Sequence, residues 1–107
     1  MSEIESVTRK GYPIECIYPN SWNVNSMKPE DFNSLKESIS ETKGEYLKRN
    51  PIRVRKIRED YYEIIDGEQR WKACKELGFS YIPAIEENIN IEEAKVLNVI
   101  LNRPERL

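Results

Sequence analysis

Two periodicities divide this chain. Ile52 and Val54 alternate with Arg53 and Arg55, the period-two pattern of a strand with one face buried. Tyr61-Tyr62-Glu63-Ile64-Ile65 repeats the strand signal, and Arg58-Glu59-Asp60 between the two runs predicts a hairpin turn. Ile14 to Tyr18 predicts a first strand, closed by Pro19-Asn20. Tyr81 to Glu86 predicts another, placed at an edge or a bulge by Pro83. Helical spacing takes over elsewhere. Phe32, Leu35 and Ile39 follow Pro29 and the acidic Glu30-Asp31, predicting a helix that runs to about Lys43 and stops at Gly44. Trp71, Cys74 and Leu77 share one face of a second helix ended by Gly78. A third, Ile91 to Leu101, opens on the capping-box pair Asn90 and Glu93, turns Ala94, Leu97 and Leu101 inward, and ends at Pro104. Residues 19–28 and 45–50 remain as polar connections. The order of elements describes one α/β (α+β) domain over residues 14–107, preceded by a flexible N-terminus at 1–13.

Composition narrows the chemistry. The chain has 107 residues, enough for one modest core, with 34% charged residues and a net charge of −2. That balance argues against strong DNA binding by this domain alone, because nucleic-acid binders carry a basic footprint. The cations are nonetheless segregated: Lys48, Arg49, Arg53, Arg55, Lys56 and Arg58 fall within residues 48–58. This stripe reads either as a phosphate or DNA contact or as an ordinary solvated strand face. There is no His, and Cys16 and Cys74 are not in a C-x-x-C pattern, which excludes a zinc site and His-based acid–base chemistry. Cys16, in the first strand, and Cys74, on a helix's apolar face, are expected as buried thiols. The N-terminus is polar and no apolar run approaches membrane-spanning length, so a cytoplasmic location and no membrane partner are expected.

The most informative stretch is Ile64 to Gly78: strand, tight turn, helix. Asp66-Gly67 supplies the turn, and the helix that follows presents free N–H groups and a positive dipole end, a setting that favours an anion. Arg70, in the first helical turn, is poorly placed for the helix itself but suits an external phosphate. The plain alternative is that Arg70 pairs with a neighbouring carboxylate.

Taken in order, these pieces resemble the N-terminal domain of the ParB family, in the ParB/sulfiredoxin superfamily. Pro19-Asn20 is similar to that family's opening Asn-Pro segment, and Phe32 to Ile39 to its first helix. Asn50-Pro51-Ile52-Arg53-Val54-Arg55 resembles its Gln-Pro-Ile-x-Val-Arg box, and Gly67-Glu68-Gln69-Arg70 its Gly-Glu-Arg-Arg box. Lys75-Glu76-Leu77-Gly78 with Ile82-Pro83-Ala84 matches the helix end and Val-Pro-Ala strand. The resemblance covers roughly residues 14 to 104. It implies a small mixed sheet with about three helices and a pocket for a nucleoside triphosphate, CTP or ATP, with Mg²⁺ held through the phosphates. By carry-over, Asp66, Gly67, Glu68, Gln69 and Arg70 form the phosphate turn and Arg55 lines the same pocket; Asn102 and Arg103 keep a polar end for a phosphate or ribose, or are simply a surface helix terminus where a cation suits the dipole. Lys48, Arg49, Arg53, Lys56 and Arg58 are the nucleic-acid candidates. DNA or a DNA-binding partner, and a second copy of the chain, are the implied partners, in DNA partition or a related transaction.

Departures limit the transfer. Gln69 replaces one Arg of the turn and removes a charge. The family's Glu-Asn-x-Gln-Arg box aligns with Val99-Ile100-Leu101-Asn102-Arg103, so its Glu and Asn positions are aliphatic and NTP hydrolysis is in doubt. Glu68 stands where sulfiredoxins carry their reactive Cys, which argues against that activity. Asn25 stands near the base of the superfamily's free-serine kinases, and an amide is no general base. Asp66 or Glu68 could substitute as base, and Glu68 is the catalytic candidate for a kinase or NTPase reading. No carboxylate cluster supports a metal-dependent nuclease. A non-catalytic interaction domain is the remaining alternative.

Overall fold

A computed structural model describes residues 11–23 and 26–102. Five strands form a single mixed sheet: β1 (Gly11–Pro13), β2 (Ile17–Tyr18), β3 (Ile52–Arg58), β4 (Tyr61–Asp66) and β5 (Tyr81–Glu86), in the order β1-β5-β3-β4-β2. Four helices accompany them: α1 (Pro29–Glu41), α2 (Glu45–Arg49), α3 (Glu68–Leu77) and α4 (Ile91–Leu101). The α/β class and mixed sheet are as expected, with one helix more.

The two edge strands are consecutive in sequence. A flat sheet in this order would separate them by four spacings, about 19 Å. Four residue steps from Pro13 to Ile17 reach only about 14 Å. The sheet therefore curls, and the rings of Tyr12 on β1 and Tyr62 on β4 meet edge to face at 4.9 Å. This crossing explains two departures from the sequence reading. Gly11–Pro13, expected within the loose N-terminus, is a strand, because Tyr12 buries its ring there and donates from its hydroxyl to Glu86 Oε1 at 2.8 Å. The expected strand from Ile14 to Tyr18 is instead a 3₁₀ turn (Ile14–Cys16) and the two-residue β2. Cys16 thus lies in a half-exposed turn, not in a buried strand, whereas Cys74 is buried.

The antiparallel hairpin β3–β4 is confirmed, with Asp60 in its turn at φ 61°. Its register shifts between Arg53 and Val54, which oppose Asp66 and Ile64 respectively. Ile65 is therefore an extra residue on β4, a bulge just before the 66–70 turn. Pro83 is not on an outer strand. β5 has β1 beside residues 81–83 and β3 beside residues 84–86, so Pro83 sits in the half with a neighbour on one side only. There its missing N–H need not break a ladder.

One face of the sheet carries the core. Ile52, Val54, Ile64, Ile82 and Ala84 pack with Ile39 of α1, Leu47 of α2 and Trp71, Ala73 and Cys74 of α3. The 45–50 segment, expected as a plain connection, is the one-turn α2, anchored by Leu47 after Gly44 adopts φ 87°. Ile65 and Ala94 are buried outside this cluster. Side-chain alternation from Ile64 to Ile65 puts them on the reverse face, where α4 contacts β4. The Asn90–Glu93 capping box opens α4 as expected. Its inward face is rotated from the expected one, however: Ala94 and Asn98 are buried, and Leu101 is exposed. Among the described residues no helix is long and apolar enough to cross a membrane.

Candidate functional site

The β4–α3 turn is built around a glycine. Gly67 caps α3 at φ 109°, a region that side chains resist, and a Cβ at this position would lie 2.5 Å from Ile52 Cγ2. The first helical bond of α3 runs from Trp71 N to Gly67 O, and no side chain caps the helix. The N–H groups of Glu68, Gln69 and Arg70 precede that bond and are the ones a helix leaves to a ligand or to water.

This helix end opens on a cavity of about 220 Å³. Asp66, Gly67, Glu68, Gln69 and Arg70 line it together with Asn20, Asn23 and Asn102. Met27, Leu35, Tyr46, Ile64 and Ile65 complete the wall. The lining thus combines N–H donors and a cation with apolar and aromatic side chains.

Arg70 Nη2 donates to Asp66 Oδ2 at 3.0 Å, with both side chains 20% exposed. The carboxylate pairing that the sequence left open is therefore present. A guanidinium has five N–H donors, so one such bond leaves others for a ligand. Glu68 Oε1 accepts from Asn23 Nδ2 at 3.1 Å. Asn102 lines the cavity and donates to Asn98 O at 2.8 Å. Arg103 and Asn25 lie outside the described residues.

Arg55 does not line the cavity. It stands three residues beyond Ile52 on β3, on the opposite face by alternation, and its Nε bonds Glu63 Oε1 at 2.9 Å on the paired strand. Three other stripe residues are also paired with carboxylates. Arg53 pairs with Glu87, Lys56 with Glu59 at 3.2 Å and Lys48 with Glu45 at 3.8 Å. The Arg58 guanidinium lies 4.4 Å from the Tyr61 ring centroid. Arg49 is exposed at the end of α2. The stripe is split between a helix and a strand, and local carboxylates oppose much of its charge.

Three asparagines hold the turn, and sequence reasoning missed the most buried one. Asn20 Nδ2 donates to Ile64 O at 2.6 Å, and its Oδ1 accepts from Trp22 N at 2.9 Å. Asn98 Nδ2 donates to Ile65 O at 2.7 Å and lies 3.4 Å from Asn23 Oδ1. The signal for Asn98 was available: it is the one polar residue within Val96 to Leu101. A polar side chain amid such a run marks a buried hydrogen bond. Among the described residues no group of three or more His, Cys, Asp or Glu side chains is placed to hold a metal. Among the described residues Asp66 and Glu68 are the carboxylates of the cavity wall, and they would suit a magnesium ion brought on phosphate oxygens.

The fold has known counterparts. The chromosome-partitioning protein ParB from Caulobacter crescentus, C-terminally truncated and complexed with CTP-γ-S, superimposes with a TM-score of 0.76 at 27% identity, over 92% of this chain and 54% of that one. Sulfiredoxin from Arabidopsis thaliana shares the fold with a TM-score of 0.62 at 21% identity, over 83% of this chain and 93% of that one. In sequence, the nucleoid occlusion protein of Listeria monocytogenes serotype 4a is 31% identical over 95% of this chain and 37% of its own length. The chain thus spans about a third of the length of such curated relatives. The family model for the ParB N-terminal domain matches residues 2–103. That match takes in nearly the whole length, and the chain belongs to the ParB N-terminal domain family.

Proposed function

We propose that this domain is a nucleotide-binding module for a nucleoside triphosphate, most simply CTP, acting in chromosome partitioning or nucleoid occlusion. The carrying observation is the mixed lining of the cavity. The uncapped start of α3 and Arg70 line it together with Leu35, Tyr46 and Met27, whose apolar and aromatic side chains suit a base. Few common metabolites other than nucleotides combine a polyanionic tail with a planar apolar head. The CTP-γ-S complex of the Caulobacter crescentus relative supports CTP as the first candidate, and the names of the Listeria and Caulobacter proteins support the cellular setting. Magnesium bound with the phosphates would neutralise part of their charge, with Asp66 and Glu68 as the nearby carboxylates.

The geometry supports binding more than turnover. Val99 and Ile100, aligned with the family's Glu and Asn, are exposed aliphatics that offer no oxygen to a metal or water. Glu68 is held by Asn23 and is the one carboxylate at the mouth free of an Arg. A domain that binds no nucleotide is the second reading, favoured by the Arg70–Asp66 pair, which supplies an internal anion.

Calorimetric titration with CTP, ATP and ADP, each with Mg²⁺, separates the two. Arg70→Ala is expected to weaken binding at least about tenfold, the equivalent of one charge-assisted contact. Wild-type affinity in that variant would remove Arg70 from the site. No uptake of any nucleotide by the native protein would establish the second reading.

A further inference from the structure

We infer that Asn98 is a positioning residue for the nucleotide site, acting through Asn23 and the Ile65 carbonyl without touching the ligand. The inference rests on the nucleotide-binding reading above. Asn98 is 6% exposed, the only buried polar or charged side chain among the described residues, and it is absent from the cavity wall. It lies on α4, on the reverse face of the sheet from α3, yet its amide reaches both components that shape the cavity mouth.

The first component is the bulge. Where β3 and β4 lose register, the extra residue Ile65 has a carbonyl that the ladder does not pair in the regular way. Asn98 Nδ2 donates to it at 2.7 Å. This fixes the β4 end one residue before Asp66, and so fixes the direction in which the 66–70 turn leaves the sheet. The second is the Asn20–Asn23 loop. Asn98 Nδ2 approaches Asn23 Oδ1 at 3.4 Å, and Asn23 Nδ2 donates to Glu68 Oε1 at 3.1 Å. An amide that accepts on its oxygen while donating from its nitrogen has its flip state fixed. Asn98 therefore selects the orientation in which Asn23 presents N–H, not carbonyl, to the first residue of α3. A reversed Asn23 would set a carbonyl oxygen against the Glu68 carboxylate and beside incoming phosphates.

The same helix sets Asn102 against the cavity through Asn98 O. Leu or Ile at position 98 would satisfy α4 as an amphipathic helix. Asn there serves the turn.

Asn98→Ala and Asn23→Ala, alone and together, are titrated with CTP and with ATP in Mg²⁺ at a temperature where far-UV circular dichroism shows each variant folded. Each single variant is expected to bind about tenfold more weakly, and the double variant no more weakly than the weaker single one, since both cut the same chain. Unchanged affinity in Asn98→Ala, or losses that multiply in the double variant, would overturn the inference. Should Asn98→Ala not fold, Asn98→Ser carries the same expectations. A ligand-free readout separates this inference from the function it rests on: the Asn23 side-chain NH₂ resonances should move in Asn98→Ala while those of Asn20 stay. If the native protein takes up no nucleotide, the proposed function fails and these resonances decide the positioning role. Unmoved Asn23 signals refute it.

Discussion

A methyl group at position 67 would stand 2.5 Å from Ile52 Cγ2 and 2.9 Å from Arg70 Nη2, on a backbone at φ 109°. Ile52 is fully buried, so it has little room to retreat. Gly67→Ala should therefore lower stability by about 2–3 kcal/mol, read from urea unfolding, and disturb Arg70 in the folded fraction. A change under about 0.5 kcal/mol would show that the turn tolerates a side chain. The two thiols differ equally sharply. Burial pushes the Cys74 thiol from 9.0 up to about 12, with Arg70 pulling weakly the other way. Cys16 is half-exposed in its 3₁₀ turn, so the native protein should take up one equivalent of maleimide at pH 7.5, and two once unfolded. Because the folded Cys74 pKa exceeds the unfolded value, its contribution to stability is complete below pH 9 and lost between pH 9 and about 12. The urea midpoint should fall through that window. At this scale the sequence was most legible where one residue type has one physical use. Gly67 between a strand and a helix implied its backbone angle. The role of Asn98 depended on a bulge across the sheet, and no local pattern encodes a bulge of that kind.

Local signals explain which elements could be read. Asn90 bonds Glu93 N through its side chain at 2.8 Å, and Glu93 returns a bond to Asn90 N at 3.0 Å; both partners lie within four residues, so the motif was visible. Asn90→Ala should cost about 1 kcal/mol in urea unfolding and fray the first turn of α4. If α4 frays, Asn98 and Asn102 lose their support two turns on, and nucleotide affinity should drop with it. The short elements were invisible for the opposite reason. The three residues of β1 are a strand only because β5 offers an edge, and α2 is a helix only because Leu47 finds the core. The phase of α4 escaped too. Ala94, Leu97 and Leu101 make the stronger apolar face by composition, but the contact with β4 turns Asn98 inward and leaves Val96, Val99 and Ile100 exposed.

Charge acts over the whole molecule. The cations at 48–58 look, in sequence, like a binding stripe; folding sets carboxylates against them. Glu63 lies directly across the hairpin from Arg55, Glu87 follows β5 to meet Arg53, and Glu59 turns back on Lys56. A cation already paired releases fewer counterions when it meets a phosphate, because part of its field is cancelled beforehand. The net charge of −2 adds a mild repulsion at distance. Five free contacts would give a slope of log affinity against log salt near −4.5, at about −0.9 per phosphate. This domain by itself should instead bind duplex DNA weakly, with a slope no steeper than about −2, carried mainly by Arg49 and Arg58. Fluorescence anisotropy of a labelled duplex across a salt series measures it, and Arg53→Gln should leave the slope unchanged. A slope near −4.5 would mean that the carboxylate pairs open at the DNA surface and that the stripe is an interface after all. The weak slope, set beside a CTP affinity that Arg70→Ala weakens, would locate this domain's phosphate recognition at the mouth of α3 and leave the reading of DNA to another part of the assembly.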